Sequence, residues 1–261
     1  MVRTAGTAPT WIAPSIPTMR VTIALPAYDE VTTLEGVVDE ALAALRELAA
    51  SDGGEVLVVD DGSRDGTAAL ADALAARHAN VRVVHHRTNQ GFSGAMATCF
   101  REARGEWVFL APADGQTRIA ELHRFLARGA DADIVIGVRT SRPDAFHRIV
   151  LSRMFHTIAR ALFDLPLRQF SSAFLFRRAV LEAMPFRSRP RAATLLPEIL
   201  YRARARGSRL VELDLPQYPR RGGRAKGGQL SVALITLVEL FRLAPLVRVD
   251  ELRKVRRAPV A

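Results

Sequence analysis

From Val21 onward the chain alternates short, nearly continuous apolar runs with longer stretches in which apolar residues recur every three or four positions. The runs VTIAL, EVLVVD, VRVVHH, EWVFLA and DIVIGV predict strands. Between them the spacing predicts helices reaching about Ala50 and about His78, one from Gly91 to Arg104, and one around Ala120 to Arg128. Strands that are apolar throughout need cover on both faces, so the expected fold class is α/β, a mostly parallel sheet flanked by helices. Ligands of such sheets bind beyond the carboxyl ends of the strands. The polar clusters PAYDE, DDGSRDGT, RTNQGFSGA, PADGQ and GVR all fall at those ends.

After Arg139 the alternation weakens. A helical stretch near Arg148 to Phe163, a short strand AFLF, a helix near Ala193 to Arg206 and a strand RLVELDL precede the Gly- and Arg-rich loop YPRRGGRAKGG. An amphipathic helix is then expected from Leu230 to Val247. Glu239, Arg242 and Pro245 interrupt its apolar run, which argues against a transmembrane span. The pattern predicts a disordered leader over 1–19, an α/β half over 20–138, a basic half of the same domain over 139–228, and a helical tail over 229–261.

Charge sharpens this division. Residues 1–138 carry 12 basic and 18 acidic side chains, a net −6, whereas residues 139–261 carry 25 and 9, a net +16. An anionic partner is expected for the second half. Nucleic acid is not the expected one, because the basic residues are not interleaved with aromatics or a recognition motif. The single cysteine, Cys99, excludes an intramolecular disulfide and reads as a buried thiol in a reducing, cytoplasmic compartment.

The ordered strings VTIALPAYDE, LVVDDGSRDGT and NQGFSGAMATCFREARGEWVFLAPADGQ resemble the family 2 glycosyltransferases of GT-A fold, and within them the dolichyl- or polyprenyl-phosphate sugar synthases. The resemblance runs over roughly residues 20 to 228 and implies a Rossmann-like half that binds a UDP- or GDP-type nucleotide sugar. By that match Pro26, Ala27, Tyr28 and Glu30 belong to the first-strand motif, and Asp60 and Asp61 meet the base and ribose. PADGQ stands where the family has Asp-Ala-Asp-Gly-Gln, so Pro112 removes one carboxylate of the pair that holds a divalent cation. Asp114 and Gln116, two residues apart on a segment expected to be extended, remain as ligands for Mg²⁺ or Mn²⁺ in a weakened site.

The segment RQFSSAFLFRR resembles the family's acceptor motif, with Ser172 retained but Gln169 and Ala173 replacing Asp and Gly. Arg220 and Lys226 match its basic loop and are expected to hold phosphate, together with Arg139 and Arg148. The implied reaction is inverting transfer to a polyprenyl phosphate, whose largely dianionic monoester attacks without a protein base. The amphipathic tail would then lie against an anionic membrane at its cytoplasmic face, or pack on the body or a second subunit of a homo-oligomer. Two alternatives stand beside this reading. One is transfer to a soluble hydroxyl acceptor with Asp114, Asp144 or Glu198 as base, and the other is a nucleotide or lipid-phosphate binding protein without catalysis.

Overall fold

The computed structural model describes residues 20–48, 54–139, 146–170, 173–182, 184–216 and 230–257, apart from the side chains of 146–148, 230–231 and 254–257. The predicted alternation is realised as β1 (Val21–Ala27), α1 (Leu34–Glu47), β2 (Glu55–Asp60), α2 (Thr67–Arg77), β3 (Val81–His85), α3 (Phe92–Glu102) and β4 (Trp107–Leu110). A 3-10 turn at Ile119–Glu121 leads into α4 (Leu122–Gly129), followed by β5 (Ile134–Arg139), α5 (Phe146–Phe163), β6 (Phe174–Arg177) and α6 (Arg178–Glu182). The described chain closes with α7 (Leu195–Ala205), β7 (Leu210–Leu215) and α8 (Leu230–Arg257).

The seven strands form one sheet in the order β3-β2-β1-β4-β6-β5-β7. Every pairing is parallel except those that β6 makes with β4 and β5. Because β6 runs against both neighbours, β5 points the same way as β4. The ends of β1, β2, β3, β4 and β5 therefore share one edge of the sheet.

Successive strand residues point to opposite faces, and both faces are buried. Ile23, Leu25, Val56, Val58, Phe109 and Leu175 pack with α1, α2 and α4, while Ala24, Leu57, Val59, Val108, Phe174 and Phe176 pack with α3, α5, α7 and α8. Phe174 and Phe176 stack at 5.6 Å in that second layer, which makes these two aromatic side chains part of the core. Cys99 is also buried there, and burial pushes its thiol far up, out of reach of ordinary reactivity.

The tail helix runs 28 residues and continues through Pro245. Its acidic interruption faces inward. Glu239 is buried against the body, accepting the Arg189 N–H at 3.1 Å and pairing with Arg242 at 2.7 Å. Leu240, Leu243, Ala244 and Val247 join the core beside it. Leu234, Val238, Phe241, Val249 and Leu252 form a row on the opposite, exposed side. No described helix is long and apolar enough to cross a membrane.

A buried ionic cluster pins α8 to α7. Arg202 is wholly buried and donates to Glu198 (3.0 and 2.9 Å), Asp250 (3.0 Å) and Glu251 (2.6 Å). Arg206 adds bonds of 2.8 Å to both oxygens of Glu251, and Arg187 reaches Asp250 at 2.6 Å. Burial pushes the Glu251 carboxyl up, but the Arg206 and Arg202 bonds outweigh it and hold the group below its ordinary range. Asp250 and Glu239 are likewise lowered against burial, by Arg187 and by Arg242.

Removing one partner of such a cluster strands buried charge, so Arg202→Ala should cost about 3–5 kcal/mol and lower the melting temperature. The lowered carboxylates stabilise the fold above their unfolded pKa values, near 4, and that contribution is lost as pH falls through the folded values. Thermal unfolding of wild type and Arg202→Ala between about pH 7 and about pH 3 checks both, with a smaller acid-induced loss expected in the variant.

Candidate functional site

The loops after β1, β2 and β4 are laced together by their own polar residues. Asp29 adopts a left-handed backbone (φ 48°), its N–H donating to Ser63 Oγ at 2.9 Å while its carboxylate receives the Arg64 N–H at 2.7 Å. The Glu30 N–H donates to Thr67 Oγ1 at 2.8 Å, and the Thr33 hydroxyl reaches the Glu30 carboxylate (3.2 Å) and the Ala113 carbonyl (2.8 Å). Pro26 and Ala27 lie inside β1, where their carbonyls accept the N–H groups of Ala113 (3.3 Å) and Asp61 (2.8 Å). These first-strand residues thus form the floor on which two loops rest. Tyr28 is half-buried at the strand exit.

Asp60 and Asp61, adjacent in sequence, have different surroundings. Asp60 lines a polar cavity of about 690 Å³ with Gly62, Ser63, His85, Arg87 and Arg191 among its walls. Its Oδ1 accepts the Ser63 N–H at 3.1 Å and its Oδ2 faces His85 Nδ1 at 3.0 Å. Asp61 points away into the loop after β3. Its Oδ1 meets His86 Nδ1 (2.6 Å) and the Gln90 N–H (2.8 Å), and its Oδ2 accepts the Gly91 N–H (2.8 Å).

That loop closes only because two glycines allow it. Gly62 (φ 71°) sits where a Cβ would come within 2.8 Å of the Asn89 nitrogen. Gly91 (φ 81°) backs onto the Arg191 Cα, at 3.0 Å from where its Cβ would lie. The segment before α7 is held there by the Gly94 N–H to the Pro190 carbonyl (3.1 Å) and by the Ser93 hydroxyl on the Ala192 carbonyl. Arg191 thereby reaches the cavity wall.

The segment after β4 is a turn and not the extended strand its spacing predicts. Gly115 takes φ 70°, and Asp114 Oδ1 accepts the Gln116 N–H at 3.0 Å, so the two residues are joined through the turn and do not alternate along a strand. Asp114 is buried to 8% exposure and Gln116 is half-buried. Among the described residues no three His, Cys, Asp or Glu side chains gather as a metal cage. Asp114 offers one carboxylate at this turn, so a hard cation such as Mg²⁺ or Mn²⁺ would be held there largely by the phosphate oxygens of a substrate.

Arg139 ends β5 on the same sheet edge, two strand spacings from β4, about 10 Å. Gln169 caps it by donating to its carbonyl at 2.8 Å. Arg148 lies in α5, its side chain outside the described residues, as are Ser172, Arg220, Lys226 and Asp144. Glu198 is not available as a base. It is wholly buried, paired with Arg202, and accepts the N–H groups of Arg187 (2.9 Å) and Ser188 (2.8 Å).

His85, His86 and Arg191 were not among the residues that motif reading selects. The parallel register that sets Asp60 opposite His85 was the available signal, since VRVVHH places its histidines at a strand end. Arg191 lacks such a mark, because only the fold brings it beside Asn89.

Residues 22–185 match the family described as Glycosyl transferase family 2. Over 177 residues, 64% of this chain, the sequence is 36% identical to a polyprenol monophosphomannose synthase of Mycolicibacterium smegmatis, and the chain spans 64% of that relative's length. It is 26% identical over 252 residues to a dolichyl-phosphate beta-glucosyltransferase of Trichomonas vaginalis, covering 90% of this chain and 76% of the relative. Among solved structures, glucosyl-3-phosphoglycerate synthase of Mycobacterium tuberculosis in complex with Mn²⁺, UDP and phosphoglyceric acid superposes with a TM-score of 0.67 at 18% identity, over 90% of this chain and 85% of that one. The likeness bears out a GT-A fold.

The buried Asp61 carboxylate serves two part-buried backbone N–H groups, so Asp61→Ala should cost up to about 1–3 kcal/mol for each donor left without an acceptor. Urea denaturation measures the loss, and amide exchange should quicken at Gln90 and Gly91 while β4 stays protected.

Proposed function

Because the chain belongs to glycosyl transferase family 2, we propose that it transfers a sugar, with inversion, from a UDP- or GDP-type nucleotide sugar to a polyprenyl phosphate. The observation that carries the reading is the polar cavity at the ends of β2 and β3, with Asp60 on its wall and Asp114 on the same sheet edge. In this reading Asp60 receives nucleoside N–H or hydroxyl groups, and the Asp61-held loop gives the cavity its shape. Pro26, Ala27, Tyr28 and Glu30 support the loops around the nucleotide.

Asp114 and Gln116 would hold the divalent cation. When bound, that ion would neutralise charge on the departing nucleoside diphosphate. Arg139, from the end of β5 two strands away, stabilises the same developing charge, and Arg148, Ser172, Arg220 and Lys226 bind the acceptor phosphate. Two features favour a lipid phosphate. The basic excess of residues 139–261 suits an anionic acceptor, and the exposed apolar row of α8 suits peripheral contact with an anionic membrane. A phosphate monoester needs cations and no base, in keeping with Pro112 and Gln169 where the family carries carboxylates.

Asp60→Ala should weaken nucleotide binding by about tenfold or more while the protein remains folded, as calorimetry and circular dichroism would report. Turnover should need Mg²⁺ or Mn²⁺, with Pro112→Asp lowering the metal concentration for half-activation. Undiminished turnover in excess chelator would count against the cation.

Arg220→Ala and Lys226→Ala should each lower transfer to polyprenyl phosphate by about ten- to hundredfold, with donor binding changed less. Comparing polyprenyl phosphate with the matching dephosphorylated prenol tests the acceptor. Equal use of the two by wild type would overturn the lipid-phosphate assignment.

A further inference from the structure

The adjacent histidines after β3 are in different chemical situations. His86 places Nδ1 2.6 Å from Asp61 Oδ1 and Nε2 2.9 Å from Thr98 Oγ1. A hydroxyl can donate, so a neutral ring with its proton on Nδ1 satisfies both contacts. His85 has no such freedom. Its Nδ1 lies 3.0 Å from Asp60 Oδ2 and its Nε2 lies 3.0 Å from Asp72 Oδ1. Ionised carboxylates only accept, so both ring nitrogens must carry protons, and the geometry is that of an imidazolium.

A neutral His85 would have one proton for two acceptors and would turn a lone pair toward whichever carboxylate is left. The charged groups around it come from every element at the cavity: Asp60 from β2, Asp72 from α2, Arg64 from the intervening turn, Arg87 after β3, and Arg191 from the segment before α7. Bonding to Asp60 raises the His85 pKa first of all, burial opposes it, and Asp72 adds to the rise. With those groups fixed, deprotonation of His85 lowers the formal charge of the wall from +2 to +1.

Resting on the reading of this cavity as the nucleotide-sugar site, we propose that His85 is a positioning residue: as an imidazolium it fixes Asp60 and adds positive charge to the wall, so that loss of its proton weakens capture of the anionic donor. The effect belongs to donor affinity and donor KM, with kcat at saturating donor changed little. By linkage, a bound nucleotide sugar lowers the acid dissociation constant of His85 by the same factor by which protonation tightens binding, so its pKa rises by the logarithm of that factor.

The test is calorimetric binding of UDP-glucose and of GDP-mannose to the full chain from about pH 6 to about pH 8.5, a window in which a phosphodiester donor does not itself titrate. For the donor that binds, wild type should lose about three- to tenfold in affinity across a one-proton transition. Asp72→Asn, a change at a side chain 67% exposed on α2, should move that transition to lower pH by removing one of the two carboxylates. His85→Ala should bind weakly at every pH, and His85→Gln, with an N–H but no charge, should recover part of the affinity and stay flat. Imidazole resonances of His85 in wild type and Asp72→Asn report the same transition without a ligand, which keeps the inference testable if the His85 variants fail to fold. Affinity independent of pH in wild type, or a slope that survives in His85→Ala, would overturn the role of His85 alone. Absence of binding by wild type to either donor at every pH would overturn the nucleotide reading of the cavity, and this inference with it.

Discussion

A carboxylate that is 2% exposed must be given hydrogen bonds if it is to remain charged, and Asp61 is given three. Much of the site's geometry follows from where those donors have to stand. The Gln90 and Gly91 N–H groups converge on one side chain, which folds the loop after β3 over the end of β2 and fixes the start of α3. The segment before α7 then packs on Gly91 and Gly94 and carries Arg191 to the cavity. That segment is in turn fastened to α8, since Glu239 accepts the Arg189 N–H and Thr236 accepts the Ala193 N–H at 3.1 Å. A continuous set of short polar contacts therefore joins the candidate donor site to the far helix.

The strand and helix alternation of residues 21–139 was legible because it rests on local periodicity, and every predicted strand there is present. The strand AFLF was legible too, but not its position, because nothing local to Phe174–Arg177 says that it enters antiparallel between β4 and β5. At the candidate site, the polar clusters at strand ends singled out Asp60, Asp61 and Asp114. They did not separate Asp60 from Asp61, whose surroundings diverge through side-chain direction and through histidines from the next strand. The sequence spacing of Asp114 and Gln116 was misleading because Gly115, free to take a positive φ, makes a turn where i, i+2 spacing implies a strand.

Amphipathicity of the tail was also legible, but its sense was not. Periodicity counts an apolar face and a polar face and assigns the polar one to water. In α8, Glu239, Asp250 and Glu251 meet arginines from α7 and the preceding segment, so ionic residues are drawn toward the body and an apolar row is left outside. Apart from Arg242, which pairs with Glu239 from one turn along the helix, the partners of those carboxylates lie some forty or more residues away, beyond the reach of any window along the chain.

The wedge formed by β6 also orders events during synthesis. As the chain leaves a ribosome, β4 appears with its WVFL edge paired to β1 on one side only, and its second neighbour is made about sixty residues later. In the interval β5 emerges, parallel to β4 and itself in need of a partner. Direct pairing of the two would exclude β6 and carry β7 into the wrong place. Such an apolar edge, open for many residues of elongation, is a template for mispairing within the chain and between chains. Joining of β4 to β5 is thus a late event governed by Phe174–Arg177, and a nascent chain halted short of that strand exposes the edge that the finished protein keeps at its centre.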